Sequence, residues 1–158
     1  MTISVNILKG IINRLDFGIV IYDNDGNILL WNDMVKKSFP IYNDTLNLSA
    51  WMDYVSVFET DTTTVFRQEE YPVSCALKGI ESKNRKMFVV NNGDIKTGRF
   101  IEVSAYPILD EQGQSIGAFS AFKDITRSMK LEMLFTDISN TVEHMKNLFE
   151  SEVQTILS

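Results

Sequence analysis

Apolar residues recur along this chain in two rhythms, one suited to a sheet with short helices and the other to a single long helix. Ile3, Ile7 and Ile11, with Val5, Leu8, Ile12 and Leu15 beside them, stand at helical spacing and predict a short amphipathic helix over residues 3–15. Phe17-Gly-Ile-Val-Ile-Tyr22 follows, a strand by its β-branched and aromatic content. Asp23-Asn-Asp-Gly26 reads as a hairpin turn, with Gly where the backbone needs positive φ, and Asn27-Ile-Leu-Leu-Trp31 returns as a second strand. Asn32 stands where an N-cap opens a short helix through Ser38.

Residues 40–66 carry a weaker pattern. Asp44, Thr45, Asp61 and Thr62 to Thr64 suggest caps and loops around short helical turns near Leu46 to Phe58. Gln68 to Leu77 reads as a helix closed by Gly79. Three strands come next, Arg85 to Asn91, Arg99 to Leu109 and Ser115 to Lys123, with turns at Asn91-Asn-Gly93 and Asp110-Glu-Gln-Gly113. In the middle one Ile101, Val103 and Ala105 alternate with Glu102, Ser104 and Tyr106, the period of a half-buried antiparallel strand. Two strands, short helices and three strands predict an α+β antiparallel sheet rather than βαβ winding.

From Ala118 onward there is no proline or glycine, and the rhythm changes. Leu131, Phe135, Ile138, Val142, Met145, Phe149, Glu152 and Ile156 alternate steps of four and three, a heptad seam with one polar interruption, Glu152. Leu134, Thr141 and Leu148 widen the stripe on one side, which suits a helix packing in a bundle or on its own domain rather than a strict two-helix zipper. The stripe reads either as a core helix folded back on the sheet or as a dimer stem that relays a shift to an effector. A helix of ~30 residues is ~45 Å long, more than a domain of this size can cover. Part of it is therefore expected to project and to need a partner for its apolar stripe.

The 158 residues suffice for one domain with its own core. Hydrophobic residues make up 44% and charged residues 23%, which argues against disorder. The single cysteine, Cys75, rules out an internal disulfide. With no apolar h-region in Met1 to Gly10, this points to a reducing, cytoplasmic home. No apolar run is long enough for a bilayer. The net charge of −6, with scattered basic residues, argues against direct binding of nucleic acid and against docking to an anionic membrane.

Three segments in order resemble the PAS domain family. They are Phe17 to Asn32, Tyr71-Pro-Val-Ser-Cys-Ala-Leu-Lys-Gly79, and Ile101 to Thr126 with its terminal Asp124-Ile125-Thr126. The resemblance spans residues 15–126, leaving residues 1–14 as the N-terminal helix and 127–158 as a coiled-coil-like stem. It implies a five-stranded antiparallel sheet with short helices on one face, a cleft between them, and a long C-terminal helix. A small apolar ligand would face Cys75, Leu77, Phe88, Val90, Val103 and Phe119. The triplet Asp124, Ile125 and Thr126 would relay a change in the sheet to the stem; the same residues also read as an ordinary helix N-cap pattern. Leu131, Phe135, Ile138, Val142, Met145 and Phe149 would form a dimer stem. The partners implied are a second copy and an effector such as a histidine kinase, in a two-component or related regulatory system.

The remaining chemistry is sparse. His144 lies in Glu143-His144-Met145-Lys146-Asn147, without the Pro that follows the phospho-accepting His of sensor kinases, and reads as a solvent-facing helical His. Cys75 lies in Val73-Ser74-Cys75-Ala76-Leu77, not in the Asn-Cys-Arg-Phe motif of flavin-binding relatives, and no His precedes 144. Flavin and His-ligated haem are both disfavoured on these grounds. Asp23, Asp25 and Asn27 begin like a calcium loop, but Ile28 and Met34 stand where it needs Gly and Glu. No catalytic set is recognisable, so an enzyme is not expected. The leading expectation is a sensor and dimerisation module acting through its C-terminal helix. The alternative is a purely structural dimerisation domain whose cleft is filled by Phe88, Phe119 and Phe122.

Overall fold

The computed structural model describes residues 4–39 and 47–158. The chain divides into two compact units, Met1–Ile125 and Thr126–Ser158. In the first unit the elements run α1 (Val5–Ile12), β1 (Gly18–Tyr22), β2 (Ile28–Trp31), α2 (Asp33–Ser38), α3 (Leu48–Tyr54) and β3 (Val55–Phe58). They continue with α4 (Pro72–Leu77), β4 (Ser82–Asn91), β5 (Arg99–Leu109) and β6 (Ser115–Asp124). Short 3-10 turns occupy Gln68–Glu70 and Ile95–Thr97. The second unit is α5 (Thr126–Leu157), of 32 residues and about 48 Å. No helix among the described residues is long and apolar enough to cross a membrane.

The sheet has the order β2-β1-β6-β5-β4-β3, antiparallel throughout. The fold is α+β as expected, with a sixth strand added. The sequence suggests short helical turns near Leu46 to Phe58, but α3 ends at Tyr54 and Val55-Ser-Val-Phe58 pairs with β4, Val57 opposite Val89. The β-branched residues at 55 and 57 favour a pleated surface. The caps expected at Asp44 and Thr45, the turn start at Leu46, and Ile3 lie outside the described residues.

Two local features depart from the sequence pattern for identifiable reasons. The helix expected over Gln68 to Leu77 is split in two. Pro72 takes the first position of α4, where its missing N–H is not needed, and Tyr71 before it is held extended at ψ 136°. Asn32 precedes α2 in an N-cap conformation, but its side chain makes no cap bond. Instead its Oδ1 accepts from Ile19 N at 2.9 Å, and its Nδ2 donates to the carbonyls of Ile12 and Phe17, each at 2.8 Å. The backbone N–H of Asp33 donates to Asn13 Oδ1 instead. A buried amide therefore ties the end of α1 to the start of β1.

The other turns follow their sequence. Asp23 Oδ1 accepts from the N–H groups of Asp25 and Asn27, and Gly26 sits at φ +80°. These bonds, with the Asn27 side-chain amide foremost, hold the Asp23 carboxyl below its ordinary range. At Gly117, φ is +157° and a Cβ would stand 2.2 Å from the Tyr22 carbonyl oxygen, so β6 can run against β1 there only without a side chain.

The core lies between the helices and one sheet face. Val20, Met87, Val89, Ile101, Val103 and Phe122 from the strands meet Val35, Phe39, Leu48 and Val73. Each such side chain, fully buried, contributes about 1.5–3 kcal/mol.

Candidate functional site

Between the sheet and the helices is a cavity of about 50 Å³. Its floor is Val20 and Tyr22 of β1, Met87 of β4, Ile101 and Val103 of β5, and Ser120 and Phe122 of β6. Its roof is Phe39, Trp51, Tyr71, Pro72 and Val73. The aromatic rings interlock edge to face: Phe39 with Phe122 at 5.3 Å between centroids, Phe39 with Trp51 at 6.1 Å, and Trp51 with Tyr71 at 6.2 Å. Such pairs add to the energy of burial and hold ring orientations. Ser120 is a buried polar residue of the wall, and burial pushes the Tyr71 phenol above its ordinary range.

The size bounds what the cavity can hold. A drug-sized ligand takes roughly 300–1,000 Å³, and an apolar cavity of roughly 150 Å³ binds benzene. At about 50 Å³ the space admits a few water molecules or a very small apolar guest. A larger ligand would have to displace Phe39, Trp51 or Phe122.

The six residues expected to face a ligand are not brought together. Val103 lines the cavity. Leu77 of α4 packs partly buried against the core and against the small cluster of Ala76, Ala105 and Ala118. Cys75, half-buried on α4, points its thiol to the Glu69 carbonyl at 3.6 Å. Phe88, Val90 and Phe119 lie on the opposite face of the sheet. Cross-strand partners share a face. Phe88 pairs with Phe100 and Val90 with Ser56, while Met87, Val89 and Val57 turn inward. Phe119 stacks on its partner Tyr106 at 5.3 Å on that outer face.

β4 is buried at four successive positions, 87–90, so its apolar run carries no period that could have told one face from the other. Of the three rings expected to fill the cleft, Phe122 is in the wall; Phe39, Trp51 and Tyr71 take the places of Phe88 and Phe119. Trp51 and Tyr71 carry no local signal that distinguishes them from ordinary core residues.

Residues of the expected relay close the first unit. Asp124 Oδ2 accepts from Arg99 Nη1 at 2.8 Å, and Ile125 N donates to the Phe100 carbonyl at 2.8 Å. Thr126 opens α5. The Arg99–Asp124 pair is substantially exposed, so its direct contribution to stability is small.

On α5 the expected stem residues are exposed. Phe135 is 73% accessible and Phe149 70%, and Leu131, Ile138, Val142 and Met145 are all more than half accessible. His144 is exposed on the same helix. Among the described residues no group of three or more His, Cys, Asp or Glu is placed to hold a metal ion.

No protein-family model matches the chain, and no curated protein matches it by sequence. Solved structures do. The PAS domain of a protein from Colwellia psychrerythraea is similar with a TM-score of 0.53 and 18% identity, over 78% of this chain and 98% of that one. The PAS domain of nitrogen regulation protein NR(II) from Vibrio parahaemolyticus is similar with a TM-score of 0.52 and 16% identity, over 78% of this chain and all of that one. An RNA-binding Light-Oxygen-Voltage receptor gives 0.56 at 13% identity, over 89% of this chain and 38% of that one. Six antiparallel strands with short helices on one face, superposing on these domains, identify the fold of this chain as that of a PAS domain.

Proposed function

We propose that this chain is a PAS sensor and dimerisation module of a signalling protein. The working parts are an N-terminal helix (1–14), the PAS unit (15–126) and a helical stem (127–158). The observation that carries the reading is the apolar stripe of α5, exposed along its length and repeating at heptad spacing. Leaving such a stripe in water costs roughly 25 cal/mol per Å² of apolar surface, so a second copy is its natural cover. A change in the PAS unit would pass through Asp124, Ile125 and Thr126 to the paired stems. From there it would reach an effector such as a histidine kinase or another regulator, by shifting the population of two stem arrangements. The module itself is non-catalytic and cytoplasmic.

One observation favours a narrower reading. The cavity of about 50 Å³, lined by interlocked aromatic rings, suits a structural dimerisation domain that holds no ligand. Native mass spectrometry after mild purification separates the two, since a reproducible added mass supports a ligand-binding sensor.

The dimer is tested by the solution mass of the full chain beside a version ending at Arg127. The expected result is twice 18.0 kDa for the full chain and a monomer for the shortened one. The same oligomeric state in both would overturn the stem as the coupling element.

A further inference from the structure

The seam of α5 is interrupted once. Seven of its eight positions between Leu131 and Ile156 are apolar, and the other is Glu152, one layer after Phe149 and two after Met145. All are exposed on the helix. Setting Phe135, Val142, Phe149 and Ile156 at the a positions and Leu131, Ile138, Met145 and Glu152 at the d positions fixes the flanks. The g column is then Leu134, Thr141, Leu148 and Thr155, and the e column is Glu132, Ser139, Lys146 and Val153.

Three observations point to a second copy of α5 as the cover. First, a straight helix drifts by about 20° per heptad against a repeat of seven. A seam held over residues 131–156 stays on one side only if the helix winds around another of the same repeat. Second, in a parallel pair each g side chain meets the partner's e position five residues on. Here these pairs are Leu134 with Ser139, Thr141 with Lys146 and Leu148 with Val153, so identical flanks bring no like charges together. Third, the hydroxyls of Thr141 and Thr155 donate to the carbonyls of Asp137 and Ser151, four residues back. Burying the g column therefore leaves no hydroxyl donor unsatisfied.

We infer that two copies pair their α5 helices in parallel and in register, so that Glu152 faces the partner's Glu152 across the seam and this layer holds the last turns of the stem apart. The inference rests on the dimer reading above, in which both stems run the same way toward an effector.

No cation neutralises the layer. The neighbours of Glu152 one turn away are Leu148, Phe149, Thr155 and Ile156, and a second copy would bring its own Phe149, Glu152, Val153 and Ile156, none of them a cation. Lys146 lies on the flank and pairs with Glu150 at 4.0 Å. Seven seam residues and four g residues a side fall short of the ~20–30 of a standard interface. One repulsive layer therefore weighs heavily in how far the stem zips and how tightly the chain dimerises.

The test uses the full chain. Glu152→Leu should tighten the dimer about tenfold in sedimentation equilibrium, which is ~1.4 kcal/mol and at the low end of what replacing buried charges with apolar side chains yields. A mixture of wild type and Glu152→Lys should form mixed dimers in clear excess over the statistical half. An unchanged dissociation constant for Glu152→Leu would overturn the inference. So would a tightened Glu152→Leu dimer with merely statistical mixing, because an antiparallel pair places Glu152 opposite Phe135. Either failure leaves the stem dimer standing if shortening to Arg127 still yields a monomer. If shortening leaves the mass per particle unchanged, the dimer reading itself has failed.

Discussion

The sheet unit and α5 each carry a regular apolar pattern, and they meet opposite fates. In the sheet unit Met87, Val89, Ile101 and Val103 are almost wholly withdrawn from water by residues of the same chain. On α5 the residues of the seam, just as apolar and just as periodic, are mostly exposed. Periodicity states which face of an element is apolar. Whether that face is core or interface depends on whether the same chain supplies the cover. Removing a side chain should therefore change folding in the first region and association in the second.

The largest expected effect tests the first half of this contrast. Asn32→Ala would remove the side-chain amide from Ile12 O, Phe17 O and Ile19 N at once, with only the Leu15 N–H left on Ile12 O. The cost expected is about 4 kcal/mol of folding stability, read as a shift in the urea midpoint, with the dimer constant of the folded chain unchanged. Met87→Ala comes next, at about 3 kcal/mol, because it deletes a buried side chain and enlarges the cavity beside it. A near-neutral result would mean that the aromatic roof collapses to fill the space.

The second half is tested by Phe135→Ser. It should weaken dimerisation about hundredfold. At dilutions where the wild type is already monomeric, it should leave the folding stability measured by urea unfolding within about 0.5 kcal/mol of the original. A large loss of stability in the monomer would show that the stem residue belongs to a core after all.

The smallest effect concerns a surface turn. The Thr64 hydroxyl, with the N–H groups of Thr64 and Thr63, holds the Asp61 carboxyl at about 2, below its ordinary 3.8. A carboxylate with a lowered folded value adds stability above the unfolded value and loses it as pH falls toward the folded one. Stability should thus decline slightly between pH 4 and pH 2, and Asp61→Asn should flatten that decline. An identical acid profile in the variant would remove Asp61 from the account.

Much of the fold was legible because its signals are local. The Asp-Gly hairpin, Gly79 after α4, the alternation in β5 and the heptads of α5 each follow from a few neighbouring residues. Asn32 was recognised as a special position, but by the wrong bond: capping is a local expectation, while its true partners lie up to 20 residues away. β3 was missed because a four-residue strand next to a short helix has too few positions to show a period. The cavity wall was the least legible part. Val103 was anticipated and Phe122 named as a filler, whereas Phe88, Val90 and Phe119 fall on the other face.

Element types, the antiparallel sheet and the extent and spacing of the stem's apolar seam follow from the chain read residue by residue, since each depends on turn chemistry and periodicity. Which face of β4 is inside, which rings line the cavity and where the Asn32 amide is spent are settled by the folded arrangement. Those outcomes depend on strand register and on side chains distant in the chain, and a single register step moves every side chain of a strand to the other face.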